Sequence, residues 1–497
     1  MNGTWQIARQ RDYRGGEVQA LLPEMVARNQ LLRMENAMIF PNGFVTAFFQ
    51  TDVQTLIGAS GGIAISPNNN GTWTYYATPT TGTITVGTFN TALDTPVSVG
   101  SGTSHAVGSA QMSGASKAVL YLGKWYCPNA TGGILNLSDF TFIAISGKNV
   151  KHLYIYTNRL WAVCGDGSLM ISDNGDATTW NPLNIIFLPN TDPIIDFIPV
   201  QGGAIVYSTT SIYAMYGSSY LDITFLLLLD RQQFSSGAVD IDGTVFIVGT
   251  RGVYAASLNG CQLIPHNQNV YFQQNFPTFS TSAVAIDIVK GIYLQRFEAI
   301  LFMWDVTYGE TQGFVFYPQN KAYTKINQLL TSAFPYMLAI NDANTDFLIG
   351  TDAGVLCKST YPSANTLNPR ESVIQTRIED ADSLRSKVWR ELSIDVDQTV
   401  YGVSIDASLD DGDTFTNISS GGALLSPGRN VFWLDLPRSQ SISFRFTISN
   451  TTDLFLSDDV GNLLTDDVGN ELTFSGVSGS YTLKEVRVKY REAGPIA

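Results

Sequence analysis

The sequence predicts an all-β chain: a β-propeller of six or seven blades with an extended N-terminal arm and a C-terminal β-sandwich. Three observations lead there. A plan of apolar strand, Gly or Asn turn and apolar strand recurs with starts roughly 35 to 55 residues apart, near the size of a four-stranded blade. No stretch of helical period occurs beyond residues 18–38. The last quarter alternates apolar and polar residues in runs spaced as in a sandwich. The arm is placed at 1–43, the propeller at 44–360 and the sandwich at 370–497.

The clearest unit is 158–180. Leu160, Ala162 and Cys164 alternate with Trp161 and Val163, and the turn Gly165-Asp166-Gly167 leads into the apolar run Leu169-Met170-Ile171. Ser172-Asp173-Asn174-Gly175-Asp176 can bond its own backbone, and Trp180 closes the unit. One hairpin is only marginally stable in water, so copies are required. They fall at 119–137, 194–217, 238–257, 291–326 and 337–358, with a further one expected within 44–73.

Only 14% of residues are charged and 44% are hydrophobic, with 44 glycines, as in β assemblies whose faces pack against other subunits. The longest apolar run, 225–229, is far too short to span a bilayer, so no membrane-spanning segment is expected. Met1-Asn2-Gly3-Thr4-Trp5 lacks a basic start followed by an apolar core, so synthesis in a cytoplasm is the expectation. Cys127, Cys164, Cys261 and Cys357 are isolated, as are His105, His152 and His266. Free buried thiols are expected, and no metal-ligand spacing is present.

The formal net charge is −14, and residues 370–497 hold 20 of the 43 acids but 12 of the 29 bases. Such a chain is not built to neutralise phosphates. It suits a path along which DNA slides without sticking.

In the arm, Arg9, Arg11 and Arg14 precede Gly15-Gly16, and apolar residues from Val18 to Met38 have short, imperfect helical spacing. The expectation is a crossing arm with a one- or two-turn helix at 23–30, whose removal impairs assembly and leaves the propeller folded.

The order Asp12-Tyr13-Arg14-Gly15-Gly16, Leu22-Pro23, Asn29-Gln30-Leu31, Glu35-Asn36-Ala37 and Gly43 resembles the N-terminal signature of tail tube or nozzle proteins of short-tailed bacteriophages. Asn158-Arg159-Leu160-Trp161, followed by Ser172-Asp173 and Trp180, is similar to a blade motif of the same proteins. The resemblance covers the arm, one blade and the layout of the C-terminal part. It implies a structural virion protein, made in the host cytoplasm and located in the tail. Its subunits would form a ring, a homohexamer, that conducts DNA during ejection without binding it specifically. Implied partners are tail adaptor or portal-proximal proteins and tail fibres. On this reading the lumen is predominantly acidic.

Residues 77–117 are rich in Thr, Gly, Ser and Val and poor in charge, which reads as an extended insertion with short strands at 83–86 and 96–99. A turn-rich connector, 361–369, precedes the sandwich. There, strands are expected at 372–379, 389–396, 400–408, 431–436, 442–448 and 483–490. Within it, 464–470 repeats 456–462 at a step of eight, which reads as a protruding hairpin. Its four aspartates lack the alternating ligand spacing and closing glutamate of a specific calcium loop.

Ser408-Leu409-Asp410-Asp411-Gly412-Asp413-Thr414-Phe415 has the form of an Asp-box, with looser versions at 172–180 and 66–73. This is a turn-stabilising device found in propeller glycosidases, and it carries no catalysis. Arg159, Arg231, Arg251 and Arg296 and the acids Asp240, Asp305 and Glu310 have no spacing that ties them into the paired carboxylates of a glycosidase. The chain is therefore expected not to be an enzyme. No catalytic, cofactor-binding or metal residues are nominated, and no cofactor is expected. The alternative reading is a propeller module that binds or hydrolyses a host surface glycan.

Overall fold

The computed structural model describes residues 6–14, 31–47, 50–56, 63–67, 72–80, 83–90, 103–106, 115–129, 132–145, 147–264, 289–306, 310–326, 335–340, 346–351, 355–360, 371–379, 385–419, 423–448, 451–455, 473–477 and 482–492. The helix at 23–30, the strand at 96–99, the connector 361–369 and the repeat 456–470 lie outside them. The chain is nearly all β. The only helical element among the described residues is a single 3-10 turn, Gln295–Phe297. It divides into two compact units: Met1–Gln50, Phe314–Asn327 and Thr360–Ala497 form one, and Thr51–Gly313 with Gln328–Ser359 the other.

In the second unit, four consecutive sheets each have four antiparallel strands in chain order. Their strands are Val119–Tyr121, Lys124–Pro128, Ile134–Asn136 and Thr141–Ile143, then Val150–Tyr156, Arg159–Cys164, Leu169–Ile171 and Ile185–Ile186. The third has Ile194–Val200, Gly203–Ser208, Ile212–Tyr216 and Thr224–Leu229, and the fourth Val239–Ile241, Thr244–Gly249, Gly252–Ser257 and Gly260–Leu263. Lys290–Leu294 pairs with Ala299–Val306 in the next repeat. Pro335–Ile340, Asp346–Thr351 and Val355–Thr360 form a further sheet, completed by Gln50–Leu56 from the other end of the sequence.

Within the stretch read as an extended insertion, 77–117, the described residues form strands of one sheet, and the strand expected at 83–86 lies within Thr83–Asn90. Ile63–Pro67, Thr72–Thr80, Thr83–Asn90 and Thr103–Ala106 pair in order, and Ala115–Lys117 runs parallel to the first. β-Branched Thr and Val favour a pleated surface even without a strong apolar run. The buried rings of Trp73, Tyr75 and Tyr76 supply the hydrophobic payload.

Successive sheets share one apolar core at each step, the packing of propeller-like blades. Ala64, Tyr76 and Ile84 meet Cys127 and Leu135. Tyr126 and Ile134 meet Leu160, Ala162 and Trp180. Trp161 and Val163 meet Phe197 and Val206, and Ile205 and Tyr207 meet Ile247 and Tyr254. A bulge also recurs one residue into the first strand of three sheets, at Val150/His152, Ile194/Asp196 and Pro335/Met337.

Among the described residues the first unit contains two large sheets and a two-stranded one. One orders Ala322–Ile326, Leu31–Glu35, Ser372–Thr376, Ser443–Ile448, Val400–Ser408 and Thr416–Asn417. The other orders Ala37–Ile39, Val45–Ala47, Thr482–Glu492, Lys387–Val396 and Gly428–Trp433, with Gln6–Gln10 also paired to Thr482–Glu492. The described strands of this N-terminal stretch, Gln6–Gln10, Leu31–Glu35 and Ala37–Ile39, are thus built into these two large sheets. Leu31, Met34, Ala37, Met38, Ile39 and Tyr13 are buried, and the helical spacing read over 31–38 belongs to two strands. Thr451–Phe455 and Thr473–Val477 pair antiparallel on either side of the eight-residue repeat.

Candidate interaction surfaces

The residues that carry the two sequence signatures fasten the fold. Asp12 accepts from the backbone N–H of Arg14 at 3.0 Å and from its guanidinium at 2.8 Å, and the Arg14 bond holds the Asp12 carboxyl below its ordinary range. Tyr13 donates its buried hydroxyl to the Gln10 carbonyl, while its backbone N–H reaches the Gly43 carbonyl. Gly43 has φ +88, and an added Cβ would meet Asp12 Oδ1 at 2.7 Å. Asn36 donates to the Glu371 carbonyl and its own carbonyl accepts from Ser372 Oγ.

In the blade motif, Ser172 Oγ accepts the Leu160 N–H and the Ser172 carbonyl accepts the Arg159 guanidinium, both at 2.9 Å. Trp161 Nε1 and Trp180 Nε1 donate to the Tyr156 and Ala177 carbonyls. The 408–415 turn is built as an Asp-box. Ser408 Oγ accepts the Gly412 N–H, Asp410 accepts the Thr414 N–H, and the Arg445 guanidinium lies 4.1 Å over the Phe415 ring.

Among the described residues, the groups weighed for catalysis make separate local contacts. Arg159 is spent on the hairpin, Arg231 pairs with Asp230 at 3.7 Å, Arg251 sits exposed beside a turn, and Arg296 stacks over Phe297. Asp240 accepts the Gly243 N–H, and burial raises its pKa. The side chains of Asp305 and Glu310 lie outside the described residues. Burial pushes the Cys164 thiol up to about 11 and the Cys261 thiol up to about 12, and raises that of Cys127 too, so none of the three is a thiolate at neutral pH. Among the described residues no three His, Cys, Asp or Glu side chains gather as metal ligands, and no helix is long and apolar enough to cross a membrane.

What the structure does present is apolar surface on strand edges. Thr224–Leu229 is the last strand of its sheet, and Leu226 and Leu227 are half exposed on it. This is the run noticed in the sequence as the longest apolar stretch. Its lack of alternation signals a strand apolar on both faces, and the membrane question hid that meaning. Beside it, a rigid loop at 217–222 displays Tyr220 and Leu221, the latter 80% exposed.

That rigidity has named causes. Asp222 accepts the backbone N–H and the hydroxyl of both Ser218 and Ser219. Gly217, at φ +117, leaves no room for a Cβ, which would meet the Asp222 carbonyl at 2.6 Å. Thr157, itself at positive φ, donates to the Ser218 carbonyl at 3.2 Å. The backbone and side-chain donors of Ser219 and Ser218 hold the Asp222 pKa down to about 2.

The folded pKa lies below the unfolded value, so the loop's stabilisation is present above about pH 4 and is lost as pH falls through about 2. Carboxyl titration by NMR is expected to show the Asp222 midpoint near 2, with Ser218 and Ser219 amide shifts following it. An ordinary midpoint near 4 would mean the loop is not held this way.

The first unit has a comparable edge. Gly428–Trp433 is the last strand of its sheet, with Val431 exposed and Trp433 68% exposed on one face. The Arg390 guanidinium lies 5.5 Å over the Trp433 ring, and Arg429 bonds Glu391 at 2.9 Å.

No protein-family model and no curated protein matches the chain. Among solved structures it is similar to the computationally designed Ika8 protein, at 9% identity over 62% of this chain and 99% of that one, with a TM-score of 0.39. It is also similar to BBS1N in complex with ARL6DN, at 12% identity over 65% of this chain and 98% of that one, with a TM-score of 0.40.

Proposed function

We propose that this chain is a structural virion protein, one subunit of a ring-shaped tail nozzle that conducts DNA out of a short-tailed bacteriophage. The observation that carries this reading is the pair of exposed apolar edge strands, one in each unit. Exposed apolar edges invite pairing with another chain and are blunted in proteins that stay single. The low charge content and the resemblance of 12–43 and 158–180 to nozzle proteins support it further.

On this reading the successive four-stranded sheets close as a propeller of six or seven blades, with Gln50–Leu56 joining its last sheet. The two large sheets of the other unit pack as a β-sandwich. A homohexameric ring meets tail adaptor or portal-proximal proteins at one end and carries tail fibres. The surplus of acids, 43 against 29 bases, keeps the lumen from holding DNA.

Negative-stain images of the purified protein should show rings, and duplex DNA should not be retained by them near physiological salt. Dispersed monomers that cleave sugar polymers would replace this reading with a glycan-acting module. A salt-sensitive micromolar DNA complex would remove the low-friction lumen.

A further inference from the structure

We infer that one end of the second unit's successive sheets is a docking surface for a basic protein segment that also carries large apolar side chains. The inference goes beyond the ring reading and does not rest on it.

In an antiparallel sheet whose four strands follow chain order, the first and third turns lie at the same end. Here these are 122–123, 157–158, 201–202 and 242–243, and 137–140, 172–184, 217–223 and 258–259. Side-chain bonds join that end of each sheet to the next. Tyr121 donates to the Asn158 carbonyl at 2.8 Å, Thr157 to the Ser218 carbonyl at 3.2 Å and Tyr216 to the Leu258 carbonyl at 2.8 Å. The turns therefore form one continuous surface, all of it within one compact unit.

That surface is both apolar and acidic. Successive sheets expose large side chains on it: Leu122 from the first, Leu183, 75% exposed, from the second, and Tyr220 and Leu221 from the third. In and beside the turns, Asp139, Asp173, Asp176, Asp222, Asp240 and Asp242 stand against Lys124 and Arg159. The first turn of the next repeat, 295–298, adds Arg296 and Glu298, which cancel. Lys124 is bound to Asp139 at 3.0 Å and Arg159 to the Ser172 carbonyl at 2.9 Å, so both bases are engaged where they stand. Donors from Thr179 and Thr178 lower the pKa of Asp176, as those of Ser219 and Ser218 lower that of Asp222, and both stay ionised.

Apolar side chains set among surplus carboxylates favour a partner that brings cations beside apolar groups of its own, and they repel phosphate backbones. The turns are also formed before contact. Asn158 donates its amide to Asn174 at 2.9 Å, and Asp222 accepts four donors from its own loop, so little entropy is lost on docking.

The test uses the full chain and two fluorescent peptides of equal length, one of Lys and Leu, the other with Glu in place of every Lys. Anisotropy at low salt is expected to show the Lys peptide bound roughly tenfold tighter or more, with affinity falling as salt rises. Asp173→Asn combined with Asp242→Asn removes two charges at nearly constant shape and should weaken the Lys peptide severalfold. Leu183→Ser combined with Leu221→Ser should weaken it roughly tenfold, the effect of losing exposed anchors. Phe187→Ser, in the connection at the opposite end of its sheet, should change nothing.

A benzophenone on the Lys peptide maps the contact on the wild-type protein, so this arm needs no variant to fold. Cross-links at 172–184 and 217–223 support the inference. Cross-links confined to other segments, equal affinity for both peptides, no binding of the Lys peptide at low salt, or affinity unmoved by both double variants would overturn it. None of these outcomes bears on whether the protein forms rings, so the nozzle reading stands or falls separately.

Discussion

Removing residues 1–43 is expected to abolish folding of the unit that contains 360–497, and not merely to impair assembly. The segment supplies Gln6–Gln10, Leu31–Glu35 and Ala37–Ile39 to the two large sheets of that unit. Leu31 to Glu35 pairs antiparallel with Ser372–Thr376, so its loss strips the hydrogen bonds from one edge of that strand. Tyr13, Leu31, Met34, Met38 and Ile39 are all essentially fully buried. At about 1.5 to 3 kcal/mol for each large apolar side chain, these five contribute on the order of 10 kcal/mol. That is comparable to the whole stability of a typical domain, about 5 to 15 kcal/mol.

The sheets between 119 and 263 draw no strand from this segment and are expected to keep their own thermal transition. Hydrogen exchange reads both outcomes on one sample: protection lost across Thr482–Glu492 and Ser372–Thr376, and retained across Arg159–Cys164. Unchanged protection in the first two strands would show that the unit holds together without its N-terminal strands.

Much of the β architecture was legible because burial imposes a period of two. Val400–Ser408 falls where its alternation places it, and Lys387–Val396, Ser443–Ile448 and Thr482–Glu492 fall within a few residues of expectation. The hairpin at 159–171 is announced by Gly165 and Gly167, the latter at φ +80 and too close to Pro193 for a side chain.

Two stretches misled for physical reasons. Leu31, Met34 and Met38 sit at helical spacing by coincidence, while Ala37, Met38 and Ile39 are consecutive and all buried, which no amphipathic helix arranges. Residues 77–106 carry too little charge and too few apolar residues to read as core, yet Thr83–Asn90 pairs in register with the aromatic strand Thr72–Thr80, and Thr103–Ala106 pairs with Thr83–Asn90.

The recurrent bulge was not legible at all. Val-Lys-His, Ile-Ile-Asp and Pro-Tyr-Met share no residue type, so only the register reveals it. The apolar edges were visible as composition, but which face of a strand meets solvent is decided by its place in the sheet. Phe225, packed on Tyr213 at 6.0 Å, and Leu226, half exposed, adjoin in the same run.

Replacing Trp161 with Ala is expected to destabilise the second unit by about 3 to 5 kcal/mol, the range for deleting a large buried aromatic. The indole has no exposed surface and stacks on Phe197 at 5.0 Å with the rings parallel within 2°. Tyr156 meets the indole edge-on at 5.4 Å, and both Tyr154 and Tyr156 meet the Phe197 ring edge-on, so the cavity would open in the core shared by two successive sheets. The substitution also removes the indole donor to the Tyr156 carbonyl, which keeps the Thr157 hydroxyl at 2.8 Å, so the lost hydrogen bond adds only about 1 kcal/mol.

Trp161→Phe separates the two contributions, because it keeps most of the stack and removes only the donor and part of the volume. The Ala variant should therefore lose several times more stability than the Phe variant in chemical denaturation. Equal losses would mean that the hydrogen bond, and not the stacked core, holds these sheets together. An unchanged midpoint for both would mean that the indole is not at the centre of the packing.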